Sequence, residues 1–392
     1  MDIPDYKSVE ISVPCNTKIF GNTINFNPSI IRIANDTFLM SFHVFRRGQH
    51  GHPCDIQPQP SIYDEYHMWY GGPESKTWWN EDYDGIRGTG YMIIKIFNRE
   101  VVIHQIFDKI GMGYDTRLRN TPVGIMATSS LNSFFNYKNI WGMDRVKYGL
   151  PPPTCKYQCL AIYYLKLKLT YASHIDTYYL SNNVEDEGEP LCPRLQDQEK
   201  NWSLFVVNNK MYTSQWLTPK HTVIPLQYPA CQIVKEPNIN VFHKIETFYK
   251  GAVKFSLSTP TLQFGPSEMI GVGHVKLFGD YLPIGTNAYN FYIENILSKD
   301  AFNGIYMMFF YTFDPNTFEI LRVSSAFYPP NTTHGIVFAA GLTFFDDDYI
   351  ISYGEGDIKM KLFFVSPTII NQILYKQNDM YDDYIFIYNL FD

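Results

Sequence analysis

The stretch Ile336–Ser366, IVFAAGLTFFDDDYIISYGEGDIKMKLFFVS, decides the fold. An apolar run, Ile336 to Phe345, meets Asp346-Asp347-Asp348, and a second run, Tyr349 to Ser366, follows. Aspartate tolerates turn geometry, whereas aromatic and β-branched residues favour strands, so the reading is a hairpin with a polar tip. The same unit stands near the other end of the chain as SIIRIANDTFLMSFHVF, Ser29 to Phe45, with Ala34-Asn35-Asp36 at its tip. Between them lie further short β-like runs, at Gly90–Phe97, Leu160–Leu169, Ser203–Tyr212, Glu268–Leu277 and Gly304–Phe313. The best helical candidate, Pro367 to Lys376, is short.

No linker or composition break divides the 392 residues, so residues 1–392 are read as one all-β domain. A chain made of hairpins has to remove its sheet edges, and a sandwich, a large barrel or a propeller does so. Five blades of four strands would use about 50 to 60 residues each and leave room for long loops. One such insertion is expected around 48–90, where Gly48 to Asp84 is rich in His, Gly, Pro, Trp and Tyr without strand alternation. It reads as an aromatic cap or as a lid over a substrate.

Apolar residues make up 45% and charged ones 18%, which excludes a solvating disordered chain and a coiled coil. Aromatic residues reach 17%, enough both to pack strands and to stack on sugars or bases. A net charge of −7 with no Lys/Arg run argues against nucleic acid and anionic membranes as partners. The start, MDIPDYKSVEISVP, lacks the basic and apolar regions of a signal peptide, so a soluble cytoplasmic protein is expected. Six scattered cysteines make neither a disulfide framework nor a zinc cluster, and Cys155 and Cys159 are a lone C-x3-C. His50, His52 and His67 lack ligand spacing, so no metal is expected.

Four strings place charge beside apolar strands. In Gly113-Tyr114-Asp115-Thr116-Arg117-Leu118, Asp115 and Arg117 point to one face of an extended segment, as a structural ion pair or as two groups converging on a ligand. Glu199-Lys200-Asn201-Trp202, followed by Pro219-Lys220-His221, supplies cations and donors suited to an oxyanion such as phosphate. Ser258-Thr259-Pro260 runs on to Gly271-Val272-Gly273-His274-Val275-Lys276, where glycines flank a histidine that is either packed in the core or beside a ligand. Finally, Phe338-Ala339-Ala340-Gly341-Leu342 and Ile350-Ile351-Ser352-Tyr353-Gly354-Glu355-Gly356-Asp357 bring small residues and two carboxylates to a strand end, a rim fit for a polyol.

The order FNPSIIRI, x-D-x-R-L, KNW-x-x-F, P-x-H, TP then GHV, FYTFDP, AAGL and ISYGEGD resembles glycoside hydrolase family 130, the mannoside phosphorylases, and the related glycosyltransferase family 108. The resemblance covers about Asn25 to Ser366 and implies a five-bladed β-propeller. It implies that Asp115 is the catalytic acid, or in the reverse direction the base, and that Arg117, Lys200 and His221 bind phosphate. Asn201, Trp202, His274, Glu355 and Asp357 would hold sugar. Tyr114 stands where the family has Glu and Thr116 where it has Pro, and His43 stands near a position where the family often has Arg.

The expected function is that of a carbohydrate-active enzyme, an inverting glycoside phosphorylase or sugar-phosphate-dependent glycosyltransferase acting on β-mannosides or similar hexosides. Its partner is an oligosaccharide or glycan; it needs no cofactor, only inorganic phosphate or a sugar phosphate as co-substrate. Related phosphorylases often self-associate, so a homo-oligomer is compatible. The alternatives are an inverting hydrolase with Glu355 or Glu199 as base, an inactive glycan-binding propeller, and a protein-interaction scaffold.

Overall fold

The structure, a computed structural model, describes residues 6–14, 17, 24–45, 87–107, 114–132, 160–182, 201–226, 238–298 and 304–376. Its strands form five small sheets that ring one axis, the arrangement of a five-bladed β-propeller. Strand β1 (Tyr6–Ile11) is set aside for the last blade. The first blade is a meander of β2 (Ile24–Arg32), β3 (Thr37–Phe45), β4 (Arg87–Phe97) and β5 (Glu100–Ile106). The second is β6 (Tyr114–Thr121), β7 (Gly124–Asn132), β8 (Leu160–Ala172) and β9 (Thr177–Asn182). The third has three described strands, β10 (Ser203–Val207), β11 (Lys210–Trp216) and β12 (Thr222–Pro225).

In the fourth blade β13 (Val253–Leu257) and β14 (Leu262–Gly265) both pair with β15 (Glu268–Leu277), as two pieces of one broken strand. The sheet continues through β16 (Ile305–Phe313) and β17 (Ile320–Ser324). The fifth blade is β18 (Val337–Phe345), β19 (Asp348–Glu355) and β20 (Lys359–Val365). Here the chain closes on itself: β1 pairs antiparallel with β20, Tyr6 opposite Val365 and Ile11 opposite Met360. A last strand, β21 (Leu374–Lys376), adds to β17. Both devices cover strand edges that would otherwise be left open.

The hairpins expected at Ser29–Phe45 and Ile336–Ser366 are present, with turns at residues 34–36 and 346–347. Of the expected insertion, residues 87–90 belong to β4, and its earlier part lies outside the described residues. The helix expected at Pro367–Lys376 ends sooner. Three helices of seven or more residues are described: α1 (Val241–Phe248), α2 (Asn287–Ser298) and α3 (Pro367–Ile373). The first two are poor in strong helix formers, so propensity does not announce them. Side chains at their starts help instead: Asn240 Oδ1 accepts from His243 N, and Thr286 Oγ1 accepts from Tyr289 N.

The aromatic excess follows from blade packing. Middle strands are covered on both faces, and successive side chains of a strand enter opposite cores. Phe309, Tyr311 and Phe313 fill the core between blades three and four, while Met308 and Phe310 fill the one between blades four and five. Two further cores join blade five to one, around Ile30, Met40 and Phe364, and blade one to two, around Ile31, Leu39 and Leu118. At the axis the backbones come close: a Cβ on Gly341 would stand 2.5 Å from the Ile30 nitrogen, which is why glycine occupies that point of β18.

Candidate functional site

The site is built by a device repeated in three blades. Asn27 is the fourth residue of β2, Asp115 the second of β6, and Asn201 stands two residues before β10, each on the first strand of its blade or just before it, with φ of 47°, 52° and 65°. Among residues with a side chain, Asn and Asp enter this left-handed region most readily. Asn27 lies in the β2–β3 bulge between Phe26 and Ser29, and Asp115 in the β6–β7 bulge between Tyr114 and Arg117. A bulge re-aims its side chain away from the pleat. The next residue, Thr116, anchors the bend: its Oγ1 lies 2.6 Å from Thr89 Oγ1 and 2.8 Å from Ser129 Oγ, and its carbonyl accepts from Ser41 Oγ at 3.0 Å.

The Asp115 carboxylate is 19% exposed. Asn27 Nδ2 donates to its Oδ1 at 3.0 Å, and His43 Nδ1 approaches the same oxygen at 3.4 Å. Among the described residues Oδ2 has no hydrogen-bond partner. Gly354 belongs to this arrangement, since a Cβ there would collide with Asn27 Oδ1. Burial pushes the Asp115 carboxyl up, but His43, the Arg117 charge and the Asn27 amide outweigh it and hold the group well below the usual carboxylate range. It is ionised at neutral pH.

Arg117 is 2% exposed and fixed at three points. Its Nη1 donates to the Asp115 carbonyl at 3.0 Å, Nη2 to Asn201 Oδ1 at 2.9 Å, and Nε to the Ser258 carbonyl. The guanidinium lies 5.5 Å from the centre of the Phe338 ring. Burial lowers its pKa to about 10, with the Asp115 charge opposing, so it remains a cation. His274 completes this wall: Nδ1 lies 2.7 Å from Ser258 Oγ, and its ring is 5.0 Å from Phe338 and 5.7 Å from Tyr306. Blades two, three, four and five thus meet around one buried cation.

Of the residues singled out in the sequence, Asp115, Arg117, Asn201 and His274 are brought together, with Ser258 and Phe338. Lys200 and Glu199 lie outside the described residues, as do the tryptophans of the Gly48 to Asp84 stretch. Trp202 is only 4% exposed, so its ring is core and offers no open face for a sugar to stack on. Asp357 lies in the turn between β19 and β20, half-buried, with φ 53°.

Glu355 does not fit either expected role. It is fully buried, with Oε1 accepting from Thr333 N at 2.7 Å, Thr333 Oγ1 at 2.7 Å and His334 N at 3.0 Å, and with Oε2 2.5 Å from Lys361 Nζ. Burial raises its pKa, but Lys361 and Thr333 outweigh that and lower it. A carboxylate so enclosed neither reaches a sugar nor activates water.

His221 does not fit the phosphate role. Its Nδ1–H donates to the Phe318 carbonyl at 2.9 Å, Nε2 accepts from Ser214 Oγ at 2.8 Å, and the ring packs 4.7 Å from Phe313. Both nitrogens are used by the wall itself. Burial pushes its pKa down to about 4, with the Phe318 hydrogen bond opposing. An unfolded imidazole titrates near 6.5. Between those values the unfolded chain binds a proton that the folded one does not, so stability falls as pH falls through that window. The urea midpoint is therefore expected to drop between pH 7 and 5, and to drop less in His221→Gln. Equal drops in the two proteins would contradict this placement.

Asn27 and the contact of His43 with Asp115 are what reading the sequence missed. The available signal is the alignment of Asn27-Pro28-Ser29, Asp115-Thr116-Arg117 and Asn201-Trp202-Ser203, each led by an Asn or Asp able to turn left-handed in or beside the first strand of its blade. Among the described residues no group of three or more His, Cys, Asp or Glu stands close enough to hold a metal ion, and no helix is long and apolar enough to cross a membrane.

No protein-family model and no curated protein matches the chain. Among solved structures it is similar to a mannose phosphorylase from Leishmania mexicana in complex with a phosphate ion, at 9% identity over 91% of this chain and 89% of that one, with a TM-score of 0.47. A GDP-Man-dependent mannosyltransferase from the same organism gives 10% identity over 92% and 89%, with a TM-score of 0.42. A glycosyl hydrolase from Bacteroides ovatus gives 11% over 88% and 85%, with a TM-score of 0.45. The propeller rests on the five sheets themselves, independently of these likenesses.

Proposed function

We propose that the chain is an inverting carbohydrate-active enzyme for β-mannosides or similar hexosides, a glycoside phosphorylase or sugar-phosphate-dependent glycosyltransferase, with Asp115 as its proton-transferring group. The observation that carries this reading is the Asp115 carboxylate, ionised, held through Oδ1 and without a hydrogen-bond partner on Oδ2 among the described residues. A base has to lie within hydrogen-bond reach of the proton it takes, and an unengaged carboxylate oxygen fixed by its neighbour meets that need. In the synthetic direction an acceptor hydroxyl gives its proton to Oδ2 while its oxygen attacks the anomeric carbon of an α-hexose 1-phosphate. The bond to phosphate breaks with its electron pair leaving on the phosphate, and a β-glycoside results.

Phosphorolysis runs the same steps backwards, with the proton passing from Asp115 to the glycosidic oxygen. Because the carboxyl is held below its usual range, Asp115 starts as the base at neutral pH, and in phosphorolysis it has to take up a proton first. Arg117 supplies positive potential at the same place. Lys200, immediately before Asn201, is the second cation of the proposal. Hydrolysis by inversion needs a second carboxylate as base, and the enclosure of Glu355 removes one of the two that the sequence offered, Glu199 lying outside the described residues.

The second reading, a glycan-binding propeller without turnover, is favoured by Arg117 having committed three N–H groups to Asp115, Ser258 and Asn201. Incubation with α-mannose 1-phosphate and mannose separates the two. Acceptor-dependent phosphate release with formation of a β-mannobiose is expected. Glycan binding with no turnover from any hexose 1-phosphate would select the second reading, and mannose release from β-mannobiose at one rate with and without phosphate would select hydrolysis.

A further inference from the structure

We propose that His43 is a positioning residue for Asp115: it shares Oδ1 with Asn27, so that Oδ2 is the oxygen turned to the acceptor, and its own protonation sets the pH range over which the carboxylate works as a base. The inference rests on the reading of Asp115 as the proton-transferring group. His43 is 2% exposed on β3, and its ring lies against Phe26 with centroids 4.3 Å apart, which holds the imidazole in one plane. Its Nδ1 stands 3.4 Å from Asp115 Oδ1. A carboxylate oxygen only accepts, so any bond across this contact is donated by Nδ1–H.

The groups facing this pair come from three strands. From β6 come Asp115 itself and Arg117, whose charge acts on Asp115. From β2 come the Phe26 ring and the Asn27 amide. From β4 comes Thr89, opposite His43 in the sheet and bonded to Thr116. In the imidazolium form, a second positive charge joins Arg117 in stabilising the carboxylate and makes Asp115 a weaker base. Once neutral, His43 still stands beside Oδ1 with Nδ1 facing it, but no longer opposes proton uptake. Transfer should therefore rise with pH through the titration of His43.

The test follows His43 by nuclear magnetic resonance of its ring between pH 5 and 9, with the signal assigned by its disappearance in His43→Asn. In Asp115→Asn, a change that the left-handed backbone tolerates, the His43 titration is expected about one unit or more lower than in the parent. An unchanged titration would overturn the coupling. The second arm is the pH profile of transfer. The amide of His43→Asn can place an N–H near the position of Nδ1, so the variant is expected to lose about tenfold in rate and to lose the pH-dependent limb, whereas His43→Leu loses orientation as well and falls further. A His43→Asn profile that keeps the parental limb would overturn the proposal. The ring titration needs no turnover, so failure to find transfer would count against the proposed function and leave the His43–Asp115 coupling to be decided by the first arm.

Discussion

Asp115→Asn is expected to fold as the parent does and to lose about 10²- to 10⁴-fold in transfer rate, the range that a positioned acid or base contributes. The substitution keeps the shape of the side chain, and Asn accepts a φ of 52° as Asp does. Its amide oxygen can still accept from Asn27 Nδ2. What disappears is the oxygen that takes the acceptor's proton, so the loss should fall on kcat, with KM and glycan affinity little changed. Rates measured beside a melting curve and a glycan titration check this. A variant with the parental rate would remove Asp115 from the mechanism, and one that no longer folds would make it a structural residue.

Lys361→Met is expected to cost about 3–5 kcal/mol of stability at neutral pH, because it leaves the fully buried Glu355 charge without its cation. In the parent, the Glu355 carboxyl is lowered in the fold, so its contribution is present above the ordinary carboxylate range and is lost as pH falls through and below it. Without Lys361, burial is opposed among the described residues by Thr333 and His334, so the carboxyl is expected to shift toward its protonated form in the fold. The sign then reverses: the deficit of the variant should shrink as pH falls from 7 toward 5. Urea midpoints of both proteins at the two pH values check it, and a deficit absent at pH 7 contradicts it. The residue before Glu355 is Gly354, on which Asn27 rests, so the same change should also loosen the grip on Asp115.

The blades were legible because their signal is local. SIIRIANDTFLMSF and LTFFDDDYIISY carry strand formers and turn formers within a dozen or so residues, and both fold as hairpins. Ring closure was not legible, since β1 and β20 meet from opposite ends of the chain and neither segment names the other. The helices α1 and α2 were hidden by side chains of modest helix propensity, stabilised in place by packing such as that of Val241, Phe242 and Ile245 in the core beneath α1.

For the site, Asp115 and Arg117 were paired by assuming an extended strand, whereas the structure brings them together through a bulge, with Arg117 bonded to the Asp115 carbonyl and not to its carboxylate. The histidines show the limit of such reading. His221 follows Lys220 in the sequence and His43 stands in an apolar run, yet His221 gives both nitrogens to the blade wall and His43 faces the carboxylate. The difference lies in partners contributed by other parts of the ring, the Phe318 carbonyl in one case and Asp115 in the other. Trp202 teaches the same point, because whether an indole is a platform or core depends on what covers it.

The central claim is that glycan and phosphate are handled where Asp115 and Arg117 meet. A crystal of the parent protein soaked with phosphate and mannose tests it most directly. A mannose hydroxyl within hydrogen-bond distance of Asp115 Oδ2, with phosphate on the side of Arg117, is the predicted result; sugar and phosphate bound elsewhere, with Oδ2 facing only water, would contradict it.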